Sequence, residues 1–333
     1  MERVNVLVGG YMRPELLRRI AEADSRVHVL NVREAASAER ERVPPFRFPE
    51  EFERFLPDTD VIFTSRLPAE LDKKAPRLRW AQLLSAGVDV VFRGGYQDSR
   101  IIFTTASGVH PIPIAEWVVG AMLAMAKRFP EAIQAQKERR YWFYGPRELA
   151  GSTVGIIGMG RIGQRIGRLA HALDMRVIGV RRTVTSPTES ADGADLVLPP
   201  EGLHRLLAES DYVVSALPGT PATERMLGRE QFALMKAGSY FINVGRGSTV
   251  DEEALLGALQ SGRLAGAALD VFATEPLPED SPLWDAPNLF LTAHVSGATD
   301  MYNVRAVDLF VENLRRYVRG EPLMNVYDKE RGY

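Results

Sequence analysis

The segment VGIIGMGRIGQRIG, residues 154–167, combines a strand, a glycine-rich turn and the start of a helix. The apolar run Val154–Ile157 predicts a short buried strand. Gly158, Gly160 and Gly163 follow it with the spacing G-x-G-x-x-G, and an amphipathic pattern continues beyond them. In this context the spacing indicates a dinucleotide-binding turn. A glycine-rich turn without a ligand is the alternative.

Each glycine of this turn has a separate role. Gly158 allows the tight turn, Gly160 lets the backbone approach a pyrophosphate, and Gly163 lets the helix and strand pack closely. The N-terminus of the following helix adds N–H groups and a partial positive charge that favour phosphate. The predicted cofactor-binding residues of this segment are Gly158, Met159, Gly160, Arg161, Ile162 and Gly163.

Two arginines follow the next predicted strand, Arg176–Val180. Arg181 lies 18 residues beyond Gly163, where an NAD site places an acid that binds the ribose hydroxyls. An acid there would repel the 2′-phosphate of NADP, whereas Arg181, Arg182 and Thr183 would bind it. The sequence therefore predicts NADP(H) as the preferred cofactor, with NAD(H) possible. Two exposed arginines beside a loosely bound NAD are the alternative.

Length and composition limit the class of protein. A chain of 333 residues predicts two domains, and 45% hydrophobic with 25% charged residues is typical of a soluble globular protein. A net charge of −2 gives no electrostatic case for nucleic acid or membrane. Cysteine is absent, which excludes thiolate chemistry, and no acid or histidine cluster has metal-ligand spacing, so we predict no metal. We expect a cytoplasmic enzyme.

Short apolar strands alternate with helices along the chain, which predicts mostly parallel sheets covered by helices on both faces. Residues 41–52 predict a proline-rich loop, and Thr220 with Pro221 predicts the start of a helix. The final helix, Val304–Val318, follows a complete second series of strands, so we expect it to pack on the first domain. The predicted strands are Val4–Val8, Val27–Leu30, Val61–Thr64, Trp80–Leu84, Ile101–Thr105, Val154–Ile157, Arg176–Val180, Leu196–Leu198, Tyr212–Leu217, Tyr240–Val244, Gly266–Val271 and Leu289–Thr292.

Three charged residues follow predicted strands of the second series: Arg246, Glu275 and His294. In open α/β sheets, ligands bind beyond the carboxyl ends of the strands. Hydride transfer to a 2-oxo acid places negative charge on the carbonyl oxygen, to which protonated His294 would donate a proton. Glu275 would stabilise the imidazolium, and Arg246 would bind the substrate carboxylate. Each residue could equally be structural, since spacing alone does not bring them together.

Four motifs of the chain resemble those of the D-isomer-specific 2-hydroxyacid dehydrogenases: LAGSTVGIIGMGRIG, LMKAGSYFINVGRGSTVDEEALLGAL, GRLAGAALDVFATEPLP and NLFLTAHVSGAT. Within that family the chain is most similar to the NADP-preferring glyoxylate/hydroxypyruvate reductases. The resemblance implies that Arg246, Glu275 and His294 are the catalytic residues. It also implies a reaction, the NADPH-dependent reduction of small 2-oxo acids to D-2-hydroxy acids. Phosphoglycerate or D-lactate dehydrogenation and a dinucleotide-sensing, corepressor-like binding protein are the alternatives.

The resemblance also implies an α/β architecture of two domains. A Rossmann-type, doubly wound parallel sheet over 105–295 would bind the cofactor. It would be inserted into a smaller flavodoxin-like substrate domain formed by 1–104 and 296–333. Family members are usually homodimers through the cofactor domain, and the apolar helix Ile114–Lys127 would suit that contact. An internal core position would explain this helix equally well.

Further site residues are implied by the resemblance alone. Backbone N–H groups of Ala86 and Gly87, in LLSAGVD, would hold the substrate carboxylate beside Arg246 and His294. The remaining predicted cofactor contacts are Leu217, Pro218, the backbone of Val244, and Asp270 at the nicotinamide carboxamide. The roles of His110, Arg66 and Trp142 are left open: His110 and Arg66 are candidates for the substrate pocket, and Trp142 would either reach a neighbouring subunit or anchor its own loop.

Overall fold

The computed structural model describes residues 3–10, 12–32 and 48–328. Residue contacts divide the chain into two compact units, Met1–Val109 with Thr299–Tyr333 and His110–Ala298. The predicted domain limits at 104/105 and 295/296, and the roles of the two domains, stay predictions.

The first unit contains a sheet of five parallel strands in the order β2-β1-β3-β4-β5. This is the flavodoxin-like order, and it confirms the predicted fold class. The strands are β1 (Val4–Gly9), β2 (Val27–Asn31), β3 (Val61–Thr64), β4 (Trp80–Leu83) and β5 (Ile102–Thr104). The helices before the second unit are α1 (Pro14–Ala21), α2 (Glu50–Phe55), α3 (Leu71–Lys74) and α4 (Asp89–Arg93).

The C-terminal helix, Tyr302–Arg319, packs on this first sheet. Its Phe310 stacks on Phe63 at 4.3 Å between ring centroids and lies 5.2 Å from the ring of Trp80. All three rings are buried, and aromatic side chains contribute the largest buried apolar areas in a core. The end of the chain therefore completes the core of the unit formed by its beginning.

The second unit contains an eight-stranded sheet in the order β13-β12-β11-β10-β6-β7-β9-β8. All neighbours are parallel except β8 and β9, and the strand order reverses between β6 and β10, as in a Rossmann sheet. The strands are β6 (Thr153–Ile157), β7 (Arg176–Val180), β8 (Thr188–Ala191), β9 (Ala194–Leu198), β10 (Tyr212–Ser215), β11 (Ser239–Asn243), β12 (Leu264–Leu269) and β13 (Leu289–Leu291). The helices are α5 (Pro111–Ala126), α6 (Phe129–Lys137), α7 (Arg161–His171), α8 (Leu203–Glu209), α9 (Arg229–Leu234) and α10 (Glu252–Gln260).

The helix predicted to start at Thr220 and Pro221 is wrong. Residues 221–225 form a turn, and helix α9 begins only at Arg229. The Thr223 hydroxyl donates to the Pro218 carbonyl (2.7 Å) and accepts from the Thr220 N–H (2.9 Å). Such side-chain bonds to the local backbone compete with helical bonds.

The proline-rich loop predicted over 41–52 lies mainly outside the described residues, and its last residues belong to helix α2 instead. Among the described residues, none of the helices combines the length and the hydropathy that a membrane span requires.

Candidate active site

The glycine-rich turn closes tightly at the point where the strand order reverses. Gly158 has a φ of 105°, and the N–H groups of Gly158 and Met159 both donate to the Val180 carbonyl at 3.1 Å. A Cβ on Gly158 would lie 2.8 Å from the Ala216 carbonyl oxygen, and one on Gly163 would lie 2.3 Å from the Gly158 carbonyl oxygen. Only glycine fits either position, as the motif requires.

Gly160 differs from its two neighbours, because a Cβ there would meet nothing within 4 Å. Gly160 is the N-cap residue of helix α7. The N–H groups of the first helical turn, which follows it, lack intrahelical partners. The turn therefore has the shape and polarity that fit a dinucleotide pyrophosphate. The Met159 side chain, by contrast, is fully buried against Gly179, so any contact of Met159 with a cofactor would involve its backbone.

Arg181 directly follows Val180, the residue that accepts both bonds from the glycine turn. Its guanidinium forms an ion pair with Asp192. Arg182 and Thr183 are exposed. The predicted phosphate-reading residues therefore lie beside the glycine turn, as a Rossmann site requires.

The loops after the neighbouring strands pack against one another. A Cβ on Gly245 would lie 2.5 Å from the Leu217 carbonyl oxygen, and one on Gly247 would lie 1.8 Å from the Phe272 carbonyl carbon. These backbones approach closely because neither glycine carries a side chain. The segments after β10, β11 and β12 thus form one continuous edge, which includes Leu217, Pro218 and Val244.

His294 and Glu275 form a direct pair at this edge. The His294 Nδ1 lies 2.8 Å from Glu275 Oε2, and the other carboxylate oxygen of Glu275 accepts the Phe272 N–H at 3.0 Å. Their side chains are 48% and 36% exposed. The pair leaves the His294 Nε2 for a substrate, in the arrangement in which a carboxylate orients a catalytic imidazole.

Asp270 holds the loop that carries His294. One carboxylate oxygen of this fully buried residue accepts the Thr292 hydroxyl (2.5 Å) and the Val295 N–H (2.8 Å), and the other accepts the Ser296 N–H (2.9 Å). Its carbonyl accepts the His294 N–H at 2.8 Å. His294 has a φ of 53°, a conformation that persists only where its surroundings enforce it. Sequence reasoning assigned Asp270 to the cofactor and missed this role.

Arg246 is exposed and donates from Nη1 to the Gly245 carbonyl at 2.9 Å. Arg246 and His294 both lie close enough to His110 to act on its charge. Burial lowers the pKa of His110, and the charges of Arg246 and His294 lower it further. The His110 ring packs on the loop of His294, since a Cβ on Gly297 would lie 2.7 Å from its Cδ2. The structure therefore brings together Arg246, His294 and His110, the last a residue whose role the sequence left open.

The lowered pKa of His110 predicts a loss of stability in acid. An unfolded chain binds the proton near the ordinary pKa of 6.5, before the folded protein does, so the free energy of unfolding falls as the pH drops below that value. We expect His110→Gln to lose less stability than the wild type between pH 7.5 and pH 5.5 in urea unfolding. His204→Gln, at an exposed position, is the control; equal losses for wild type and His110→Gln would contradict the prediction.

The other predicted residues belong to three further loops. Ala86 and Gly87 belong to the first unit, in the bend after β4, where the Ser85 hydroxyl donates to the Gly87 carbonyl at 2.7 Å. Arg66 lies in the same unit, after β3. Trp142 stacks on Tyr144 at 4.3 Å between ring centroids. The Arg128 guanidinium lies 4.6 Å from the centroid of the Trp142 ring. These contacts anchor the loop of Trp142 to its own chain.

Known proteins support the same interpretation. A sequence profile of the D-isomer specific 2-hydroxyacid dehydrogenase NAD-binding domain matches residues 119–296. Glyoxylate/hydroxypyruvate reductase B of Pectobacterium carotovorum is 37% identical over 74% of this chain and 78% of its own length. D-3-phosphoglycerate dehydrogenase of Methanocaldococcus jannaschii is 34% identical over 83% of this chain, which spans only 53% of that relative.

Among solved structures, the fold matches that of an NADPH-dependent glyoxylate/hydroxypyruvate reductase from Sinorhizobium meliloti in complex with NADP and sulfate. The TM-score is 0.79 at 29% identity, and the match covers 99% of this chain and 100% of the other. The predicted family and enzyme class are thereby confirmed. The chain belongs to the D-isomer-specific 2-hydroxyacid dehydrogenases, a family of oxidoreductases with an NAD(P)-binding domain.

Proposed function

We propose that this enzyme reduces small 2-oxo acids of the glyoxylate and hydroxypyruvate type to D-2-hydroxy acids with NADPH. The observation that carries the proposal is the His294–Glu275 pair at 2.8 Å, held by Asp270 at the same sheet edge as Arg246. Support for the substrate class comes from the reductase relatives of Pectobacterium and Sinorhizobium. The phosphoglycerate dehydrogenase relative keeps that activity as the second candidate.

The residues of the glycine turn would hold the cofactor pyrophosphate, and Leu217, Pro218, Val244 and Asp270 would line its remaining length. When bound, the reduced nicotinamide supplies the hydride. Asp270 has three hydrogen bonds to the His294 loop, and a carboxylate has about four acceptor positions. Because Asp270 is fully buried, its proposed contact with the nicotinamide carboxamide rests on the family resemblance.

His294 would be the proton donor of the reduction. As negative charge develops on the substrate carbonyl oxygen, the protonated imidazole donates from Nε2, because Nδ1 is engaged with Glu275. Glu275 fixes the ring orientation and stabilises the imidazolium. In the reverse direction, neutral His294 would accept the proton of the 2-hydroxyl group.

Arg246 would bind the substrate carboxylate and polarise its carbonyl group. A guanidinium can bind both oxygens of a planar carboxylate through two parallel bonds. A role of the Ala86 and Gly87 backbone N–H groups in holding a substrate carboxylate rests on the family resemblance. His110, kept neutral by its lowered pKa, would leave His294 as the group that changes protonation during the reaction.

A homodimer in the cytoplasm is part of the proposal. Trp117 on helix α5 stacks on the partly exposed Phe290 at 5.9 Å between ring centroids. Phe129 and Ile133 on the neighbouring helix α6 are about half exposed. Apolar surface of this kind is typical of a subunit contact, and it supports the interpretation of the apolar helix as a dimerisation element.

A steady-state assay with NADPH and a panel of 2-oxo acids tests the function. We expect turnover of glyoxylate and hydroxypyruvate. Oxidation of 3-phosphoglycerate without reduction of either acid would favour the second candidate. Cofactor binding without turnover of any acid would favour a dinucleotide sensor.

We expect the double variant Arg181→Asp with Arg182→Ala to shift cofactor preference toward NADH. The added carboxylate would repel the 2′-phosphate and accept bonds from the ribose hydroxyls. Loss of two charged contacts predicts a fall of about 100-fold or more in kcat/KM for NADPH. The measurement is kcat/KM for both cofactors; a retained NADPH preference would show that other residues read the phosphate.

A further inference from the structure

A two-residue turn presents an acid to one of the proposed phosphate-reading arginines. Asp192 and Gly193 connect β8 to β9 with φ values of 57° and 79°. Positive φ at both residues is the signature of a type I′ hairpin turn, for which Asp-Gly is a favoured pair. The turn therefore has a backbone conformation that its sequence specifies.

Packing fixes this turn against helix α7, the helix that begins at the glycine turn. A Cβ on Gly193 would lie 2.8 Å from the Gln164 carbonyl oxygen, and one on Gly167 would lie 2.2 Å from the Gly193 carbonyl oxygen. Backbone thus rests directly on backbone. This packing fixes the backbone at Asp192, so the carboxylate starts from a constant position beside Arg181.

The Asp192 carboxylate forms an ion pair with the Arg181 Nη1. The side chains of Arg181 and Asp192 are 38% and 33% exposed, so water partly screens the pair. Arg181 has five N–H donors, and a phosphate can bind those that Asp192 leaves. The net charge that a phosphate meets at Arg181 is nevertheless close to zero, because acid and base offset each other.

We propose that Asp192 is a specificity-determining residue that limits the preference for NADP(H) over NAD(H). The inference rests on the proposed function, in which Arg181 reads the 2′-phosphate. An incoming phosphate must share Arg181 with the carboxylate, and the two anions repel each other across a few ångströms. NAD(H) carries a neutral hydroxyl at that position, so its binding meets no such repulsion.

Asp192 also holds the Arg181 side chain in place, and this preorganisation by itself would favour the binding of NADPH. The entropy saved by holding one arginine in place is modest. The carboxylate, by contrast, repels a phosphate monoester that carries nearly two negative charges at neutral pH. Repulsion is therefore the larger effect. Removal of the Asp192 charge should tighten the binding of NADPH.

The test is Asp192→Asn, with dissociation constants for NADPH and NADH measured by fluorescence titration. Asparagine is also favoured before glycine in a type I′ turn, so the hairpin should be retained, and the melting temperature checks this. We expect the Kd for NADPH to fall about five-fold, a change within the range of exposed ion pairs, and the Kd for NADH to change less than about two-fold. Higher ionic strength should reduce the difference.

Two further variants isolate the mechanism. Glu189→Gln removes a neighbouring exposed charge of the same hairpin, and we expect little change in Kd for NADPH. In an Arg181→Gln background the Asp192 carboxylate would lose its paired cation and still repel the phosphate, so Asp192→Asn should tighten NADPH binding there at least as much. The absence of any gain in that background would overturn the proposed repulsion.

Unchanged or weaker NADPH binding by Asp192→Asn would also overturn the inference, as would an equal gain for NADH. The wild-type protein tests the proposed cofactor preference separately. If it binds NADH as tightly as NADPH, the preference itself is refuted and the inference with it. If it prefers NADPH and Asp192→Asn does not tighten binding, only the role of Asp192 is refuted.

Discussion

Replacement of His294 by alanine should lower kcat for 2-oxo acid reduction by about 10²- to 10⁴-fold, the range for loss of a general acid. The dissociation constant for NADPH should change little. The loss of kcat is expected because of the position of the imidazole. Glu275 holds Nδ1 at 2.8 Å, and Nε2 is the atom from which a proton can reach a carbonyl oxygen. In the variant, a water molecule that no side chain orients would have to supply that proton.

Single-turnover rates and NADPH titration of the same His294→Ala preparation separate chemistry from binding. His204→Ala is the matched control, because it removes an exposed imidazole on helix α8. Glu275→Gln should give an intermediate loss of kcat, since a neutral amide can still orient the ring but stabilises the imidazolium less. An unchanged kcat for His294→Ala would remove this residue as the proton donor.

The sequence was sufficient to predict most of the strands and the glycine turn, because both depend on local patterns. Short apolar runs such as Tyr212–Ser215 have the composition of buried parallel strands. The spacing of Gly158, Gly160 and Gly163 reflects contacts within one strand-turn-helix unit. Each of these patterns is contained within about 15 consecutive residues, so it does not depend on contacts between distant parts of the chain.

Two features of the site lacked such a local signal. Strand β8 has the sequence TESA, with no alternating apolar pattern. It pairs antiparallel with β9, the strand that follows the Asp192–Gly193 turn. Asp270 is a single acid after a buried strand, and its bonds to residues 292–296 join segments about 25 positions apart. A pattern within one element cannot specify partners of this kind.

The triad illustrates the same limit. Arg246, Glu275 and His294 were each visible as charged residues after strands, but their proximity depends on how closely the intervening loops approach. Gly245 and Gly247 allow that approach, and the backbones against which they pack belong to other loops. The sequence shows a glycine on each side of Arg246 but does not identify what these glycines contact.

Replacement of Arg246 by alanine should lower kcat/KM for glyoxylate by about 10²- to 10³-fold, with a rise in KM as the larger part. The substrate carboxylate would lose a charged, two-point contact, and the carbonyl oxygen would lose a nearby cation as negative charge develops. The side chain is exposed, and its guanidinium donates to the adjacent Gly245 carbonyl. We therefore expect the melting temperature to change little.

Arg246→Lys is the informative companion variant. It retains the positive charge but loses the planar pair of donors, so its kcat/KM should fall between those of wild type and Arg246→Ala. NADPH binding should be unaffected in both, since Arg246 is assigned to the substrate. If Arg246→Ala left KM and kcat for glyoxylate unaltered, the carboxylate would have to bind elsewhere, and the alignment of its carbonyl group with His294 would lose its physical basis.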